Sequence, residues 1–172
     1  KEPLNANDPR NYAKSNDSST WSSFGAALRV VENGLADGIG FFFTPPYIGI
    51  DLDGMDDDLH RFINGDHSDN KIAEFYETFK SYGEISPSGK GIHIITKGEI
   101  PGSRRRKGNV EMYSSGRFFT MTGDSLGKYK TVDAVYKKSF EYIYQKYLDD
   151  SNKVLHLSPN REHGLVGHDL SE

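Results

Sequence analysis

The chain has 172 residues, 35% of them hydrophobic and 12% aromatic, with a formal net charge of -4, which suits one domain with a real core and argues against a bulk nucleic-acid coat protein. It contains no cysteine, which excludes disulfides and thiolate metal sites and fits a reducing compartment. No apolar run approaches the roughly 20 residues that span a bilayer and no signal-peptide pattern opens the chain, so a soluble cytoplasmic protein without membrane segments is expected.

The first residue is Lys1, and Glu2-Pro3-Leu4-Asn5 reads like the middle of a segment, which predicts an excised domain of a longer polypeptide. Residues 1–19 are rich in Asn, Asp, Ser and Pro and read as loop. Thr20 is a candidate N-cap for a helix whose apolar positions are Trp21, Phe24, Ala27, Leu28 and Val31, stopped by Gly34. Ile39 to Phe43 and Tyr47 to Leu52 are strand-like runs around Thr44-Pro45-Pro46, which predicts a hairpin. Lys71 to Tyr82 is helical in period through Ile72, Phe75, Phe79 and Tyr82, closed by Gly83. The turn Ser86-Pro87-Ser88-Gly89-Lys90-Gly91 feeds a strand from Ile92 to Thr96. Asn109 to Tyr113 and Arg117 to Thr122 read as a second strand pair across Ser114-Ser115-Gly116. A last helix runs from near Thr131 or Asp133 through Val135, Phe140, Ile143 and Tyr147 to about Leu148. Periodicity then fails, so 20–148 is the expected catalytic domain and 149–172 a linker or tail. Strands interleave with helices but hairpins dominate, which gives an α+β class with a mainly antiparallel sheet.

The chemistry starts at Ile48-Gly49-Ile50-Asp51-Leu52-Asp53-Gly54. In a strand alternate side chains share a face, so Asp51 and Asp53 project together while Ile50 and Leu52 enter the core. Two like charges side by side are costly, and a hard divalent cation on carboxylate oxygens is the usual relief. The same alternation sets His93 opposite Ile92 and Ile94, and Glu111 opposite Val110 and Met112. Repetition over three strands points to one shared polar surface. Three carboxylates and an imidazole suit nucleotidyl transfer to a hydroxyl, with metals held by carboxylates and the triphosphate gripped by other groups. The Ser88-Gly89-Lys90-Gly91 turn offers backbone N–H groups, with the Ser88 hydroxyl and His93 behind it, and Arg117 offers a bidentate phosphate contact. Acid is concentrated from Asp51 to Asp58, whereas Arg104, Arg105, Arg106 and Lys107 form a basic stretch suited to nucleic-acid phosphates.

Plainer readings accompany each. A lone His93 is as readily a core histidine, Glu111 can pair with Arg117 across a hairpin, and the basic stretch can be a solvated loop. Phe41, Phe43, Phe118 and Phe119 suit a core better than a base-stacking platform. His60, His67, His156, His163 and His168 carry no role.

Three segments, Gly-Ile-Asp-Leu-Asp-Gly at 49–54, Ser-Pro-Ser-Gly-Lys-Gly-Ile-His at 86–93, and Val-Glu-Met-Tyr followed by Gly-Arg-Phe-Phe-Thr-Met-Thr-Gly at 110–123, together resemble the three motifs of the primase–polymerase domains of the archaeo-eukaryotic primase superfamily. The resemblance runs from about Trp21 to about Gly123 and rests on the order and spacing of the three. It implies a catalytic module resembling an RNA-recognition motif, joined to an N-terminal α/β unit. It implies Asp51, Asp53 and Glu111 as catalytic ligands of Mg2+ or Mn2+, and His93 and Ser88, within the nucleotide-binding stretch Ser86, Ser88, Gly89, Lys90 and Gly91, as binders of the incoming phosphates; Arg117 is similar to a basic residue near the third motif. The implied partners are a single-stranded DNA template with its primer, nucleoside triphosphates, and a helicase domain later on the same polypeptide, in replication of a phage, plasmid or mobile element. A non-catalytic single-strand- or origin-binding module, and a D-x-D glycosyltransferase, are the competing readings.

Overall fold

Ile48, Ile50 and Leu52 alternate with Gly49 and Asp51, and this period of two makes β2 (Tyr47–Leu52) a strand with one apolar face. In the computed structural model, which describes residues 2–150, β2 is the middle of a five-stranded antiparallel sheet. Its neighbours are β4 (Ile92–Lys97) and β6 (Val110–Tyr113), with β3 (Gly83–Ile85) and β5 (Arg106–Lys107) at the edges, in the order β3-β4-β2-β6-β5. The apolar face carries Ile48, Ile50, Leu52, Ile92, Ile94, Val110 and Met112, all at most 1% exposed. Packed with them are Leu59 of α2 (Asp56–Ile63), Phe75, Tyr76 and Phe79 of α3 (Lys71–Phe79), and Phe140 and Ile143 of α4 (Lys137–Tyr147). Full burial of each such side chain contributes roughly 1.5–3 kcal/mol, so this face anchors the sheet and leaves the other for chemistry. The α+β class with antiparallel sheets is as the sequence indicates.

A two-stranded ribbon, β1 (Ile39–Phe42) with β7 (Phe118–Met121), lies across part of that second face. Phe43 and Phe119 form a small core with Ile95. A Cβ on Gly49 would fall 2.3 Å from the Phe43 ring and 2.7 Å from the Phe119 ring, so only glycine admits the ribbon there. Phe43 and Phe119 are therefore core, as expected.

The ribbon corrects both expected hairpins. β1 pairs with β7 rather than β2, and β6 pairs with β2 and β5 rather than β7. Thr44-Pro45-Pro46 supplies two residues without an N–H for a ladder, and the chain leaves the ribbon for the sheet across it. The segment 114–117 makes the return crossing.

Three helical boundaries differ and one helix is new. α1 (Phe24–Glu32) is capped by Ser23, whose hydroxyl accepts from Ala26 N at 3.3 Å, while Thr20 ends a preceding 3-10 turn. Its buried residues are Ala26 and Val30, and Phe24 and Leu28 are 70% and 37% exposed. Trp21 precedes the helix, so it does not set the inward face. α2, absent from the periodicity reading, opens on Asp56, Asp57 and Asp58, whose charges favour a helix N-terminus. α3 stops at Phe79 because Lys80 adopts the left-handed conformation at φ 46°, and Gly83 opens β3 instead of closing a helix. α4 begins at Lys137, a turn or more later than Thr131 or Asp133. The tail expected over 149–172 lies, from 151 onward, outside the described residues.

No helix among the described residues is long and apolar enough to cross a membrane. The N-terminal segment is tied to the ribbon by Trp21, which stacks on Phe42 with centroids 4.9 Å apart and donates from Nε1 to the Lys14 carbonyl at 2.7 Å. Trp21→Ala is expected to cost about 1–2 kcal/mol and to make 2–20 the first segment cut in limited proteolysis. Cleavage first within the five-stranded sheet would contradict this.

Candidate active site

Directly opposed residues of neighbouring antiparallel strands point to the same face. The register sets Glu84 of β3 opposite His93 of β4, His93 opposite Asp51 of β2, Asp51 opposite Glu111 of β6, and Glu111 opposite Arg106 of β5. One ionisable side chain from each of five strands thus forms a single row, with Asp51 at its centre. Asp51, His93 and Glu111 share one face in register, as the alternation predicts, and Asp53, just past the end of β2, acts on Asp51 through its charge.

Asp51 and His93 are the two members with an unpartnered buried atom. The Asp51 side chain is 24% exposed, but Oδ1 is buried without a hydrogen-bond partner, 3.8 Å from His93 Nε2. Burial, together with the charges of Glu111 and Asp53, pushes its pKa up to about 6 against the opposing pull of His93 and Arg106. Glu111 is held on both oxygens, one accepting from Tyr113 Oη at 2.6 Å and the other 3.1 Å from Arg106 Nε. Arg117 does not reach Glu111 directly. It lies over the Tyr113 ring at 4.8 Å and donates to Tyr113 Oη at 3.3 Å.

At the end of β2, Asp53 accepts from the Ser88 hydroxyl at 3.0 Å. Ser88 Oγ also lies 3.0 Å from Ser86 Oγ and accepts from Lys90 N at 3.2 Å. Gly89 turns the loop at φ 69°, with its N–H donating to the Ser86 carbonyl at 2.9 Å. Gly91 seats the loop against β2, since a Cβ there would lie 1.8 Å from the Leu52 carbonyl oxygen. Lys90 Nζ is exposed, 3.9 Å from Asp56. The serine-glycine turn and the carboxylate pair are therefore one connected structure.

The basic stretch divides. Arg104 and Lys107 pair with Asp150 at 2.5 and 2.7 Å, Arg105 donates to the Gly102 carbonyl, and only Arg106 joins the row. A continuous four-residue basic track is thus not what this region presents.

Glu84 escaped the sequence reading because Gly83 reads as a helix stop. The available signal was the alternation Gly83-Glu84-Ile85 immediately before the turn. Glu84 is 0% exposed, and Thr122 N, Gly123 N and Tyr82 Oη donate to it at 3.0, 2.9 and 2.7 Å. Burial raises its pKa, but His93 and these donors outweigh that and hold it below the usual carboxylate value.

Among the described residues, no group of three or more His, Cys, Asp or Glu side chains is gathered as a ready-made metal site. The contacts above give a physical reason, with Glu111 engaged by Arg106 and Tyr113, and Asp53 by Ser88. The donor set nevertheless fits a hard divalent cation: three carboxylates, one with an unpartnered buried oxygen and a proton affinity raised by burial and by its like-charged neighbours.

No family model matches the chain. Over 130 residues it is 33% identical to a protein named DNA Primase-polymerase from Nitratiruptor phage NrS-1, an alignment that takes in 71% of this chain and 17% of that protein. The chain thus spans less than a fifth of that relative's length. The five-residue row lies in a chain related in sequence to a phage DNA primase-polymerase.

Proposed function

We propose that this chain carries the nucleotidyl-transfer site of a DNA primase–polymerase, which extends a primer 3′-hydroxyl on a single-stranded DNA template. The observation that supports it most is Asp51 flanked in register by His93 and Glu111, with Asp53 and the 86–91 turn at the end of the same strand. Asp51, Asp53 and Glu111 are the residues that would hold Mg2+ or Mn2+. When bound, such ions supply positive charge at the attacking and leaving oxygens of an in-line displacement.

The chain's own groups do the rest. The Ser88 hydroxyl and the exposed Lys90 Nζ grip the triphosphate, with His93 Nε2 beside Asp51 as a further donor. Arg106 and Arg117, at the Glu111 end of the row, neutralise phosphate oxygens of nucleotide or template. The primer oxygen bonds to the α-phosphorus as the bond to pyrophosphate breaks, and the hydroxyl proton passes to water. A helicase region elsewhere on the full-length polypeptide, action in mobile-element replication and a cytoplasmic location belong to the same proposal.

The test is incorporation of labelled nucleotide, ribo- or deoxy-, on primed homopolymer templates with Mg2+ or Mn2+. Each template is expected to select its complementary nucleotide. DNA binding without incorporation in either metal would establish the binding-module reading instead. Ser88→Ala is expected to raise the nucleotide KM about tenfold with kcat nearly unchanged, and to cost about 1 kcal/mol of stability through its lost hydrogen bonds. An unchanged KM removes Ser88 from the phosphate grip.

A further inference from the structure

Glu84 is a buried carboxylate that the proposed chemistry does not use. Its two oxygens face three donors and the His93 ring: Oε1 takes Thr122 N and lies 3.5 Å from His93 Nδ1, and Oε2 takes Tyr82 Oη and Gly123 N. A protonated carboxyl would turn an O–H toward one of those donors, so this cradle is built for the ionised form. A buried anion needs a counter-charge or a dense set of donors. His93 Nδ1 lies 3.5 Å from Glu84 Oε1, within ion-pair distance when the ring is protonated.

His93 is 5% exposed and stacks on Phe119, with ring centroids 4.3 Å apart, so the ring is clamped on its face as well as at its edge. Nδ1 is buried and makes no formed hydrogen bond, while Nε2 looks along the row toward Asp51 at 3.8 Å. The ring turned by 180° would put Cδ2 in place of Nδ1 and Cε1 in place of Nε2, aiming a carbon at each carboxylate. We propose that Glu84 is a positioning residue: its carboxylate faces Nδ1–H of His93 and fixes the ring so that Nε2, which carries its own N–H in the imidazolium that grips phosphate, is presented to the incoming nucleotide beside Asp51. The same carboxylate, through Thr122 and Gly123, ties the end of β7 to the sheet edge, so the ribbon that carries Phe119 and the strand that carries His93 are set by one group. This assignment rests on the reading of His93 as a phosphate ligand. It adds that a carboxylate with no path to the substrate governs that ligand, the arrangement by which imidazole ligands are oriented in many metal and phosphate sites.

The first test uses the unaltered protein. Ring 15N shifts of His93 in metal-free protein are expected to show a proton on Nδ1, and a bare Nδ1 with the proton on Nε2 overturns the assignment. The second is a double-mutant cycle on the nucleotide KM with Glu84→Gln and His93→Ala. Glu84→Gln is expected to raise KM about ten- to a hundredfold with a smaller change in kcat, and to add nothing once His93 is alanine. Tyr82→Phe, which removes one donor to Glu84 without touching His93, separates structure from positioning: it is expected to lower the melting temperature while leaving KM within about twofold. Equal effects of Glu84→Gln with and without His93 overturn the positioning role. An unchanged KM in His93→Ala overturns the phosphate reading of His93 itself, which is a different outcome.

Discussion

Asp51→Asn is expected to lose at least about a thousandfold in nucleotide incorporation and, in metal-free protein, to melt at a higher temperature than the wild type. The loss follows from removing the central charge of the row, where each 1.36 kcal/mol of lost transition-state stabilisation is tenfold in rate and a metal-held charge is worth several kcal/mol. The gain follows from the same carboxylate. Its folded pKa of about 6 exceeds the ordinary 3.8, so the unfolded chain ionises first and burying the charged form costs stability. That cost is fully present above about pH 6, shrinks as pH falls between 6 and 3.8, and vanishes below. Two pKa units set a ceiling of about 3 kcal/mol, and solvent at the partly open site reduces it to roughly 1–2 kcal/mol. With a chelator present, the melting-temperature advantage of Asp51→Asn is therefore several degrees at pH 8 and closes toward pH 4. A variant less stable than wild type at pH 8 would show that Asp51 supports the fold rather than straining it.

Gly91→Ala is expected to disrupt the sheet at its functional end. The added Cβ would sit 1.8 Å from the Leu52 carbonyl oxygen, 2.8 Å from its carbon and 3.0 Å from Asp53 Cα. All three are backbone atoms, so no side-chain rotation relieves the clash, and β4 must part from β2 where Leu52 faces Ile92. A loss of about 4 kcal/mol is expected in urea unfolding, with the Ser88 to Asp53 contact displaced. Gly89 is the internal control. It lies two residues away at φ 69° with nothing within 4 Å of its Cβ position, so Gly89→Ala costs only the conformational penalty of about 1 kcal/mol. Equal losses at the two glycines would refute the packing argument.

What could be read from the chain, and what could not, divides along one physical line. The face of each strand was legible because alternation depends only on local backbone geometry, and it brings Asp51, His93 and Glu111 together in register. Strand partners were not legible. Ile39 to Phe42 and Phe118 to Met121 look like halves of two hairpins, yet they pair with each other, because Gly49 leaves room for the ribbon on the sheet. Helix faces failed where the bulkiest residue, Trp21, lies outside the helix, and α2 was hidden because three aspartates look like a solvated cluster rather than a helix start. Glu84 was hidden by the shortness of β3, although its neighbours make it one of the most constrained side chains in the molecule.

The proposed function requires that Asp51 and Glu111, brought together by the register of β2 with β6, act as one catalytic unit. Primer extension by Asp51→Asn, Glu111→Gln and the double variant, in Mg2+ and in Mn2+, tests it most directly. The expected result is that each single variant loses extension and the double variant is no worse, as for groups that work only together. Extension at the wild-type rate by either single variant, with its fold intact by circular dichroism, would contradict it.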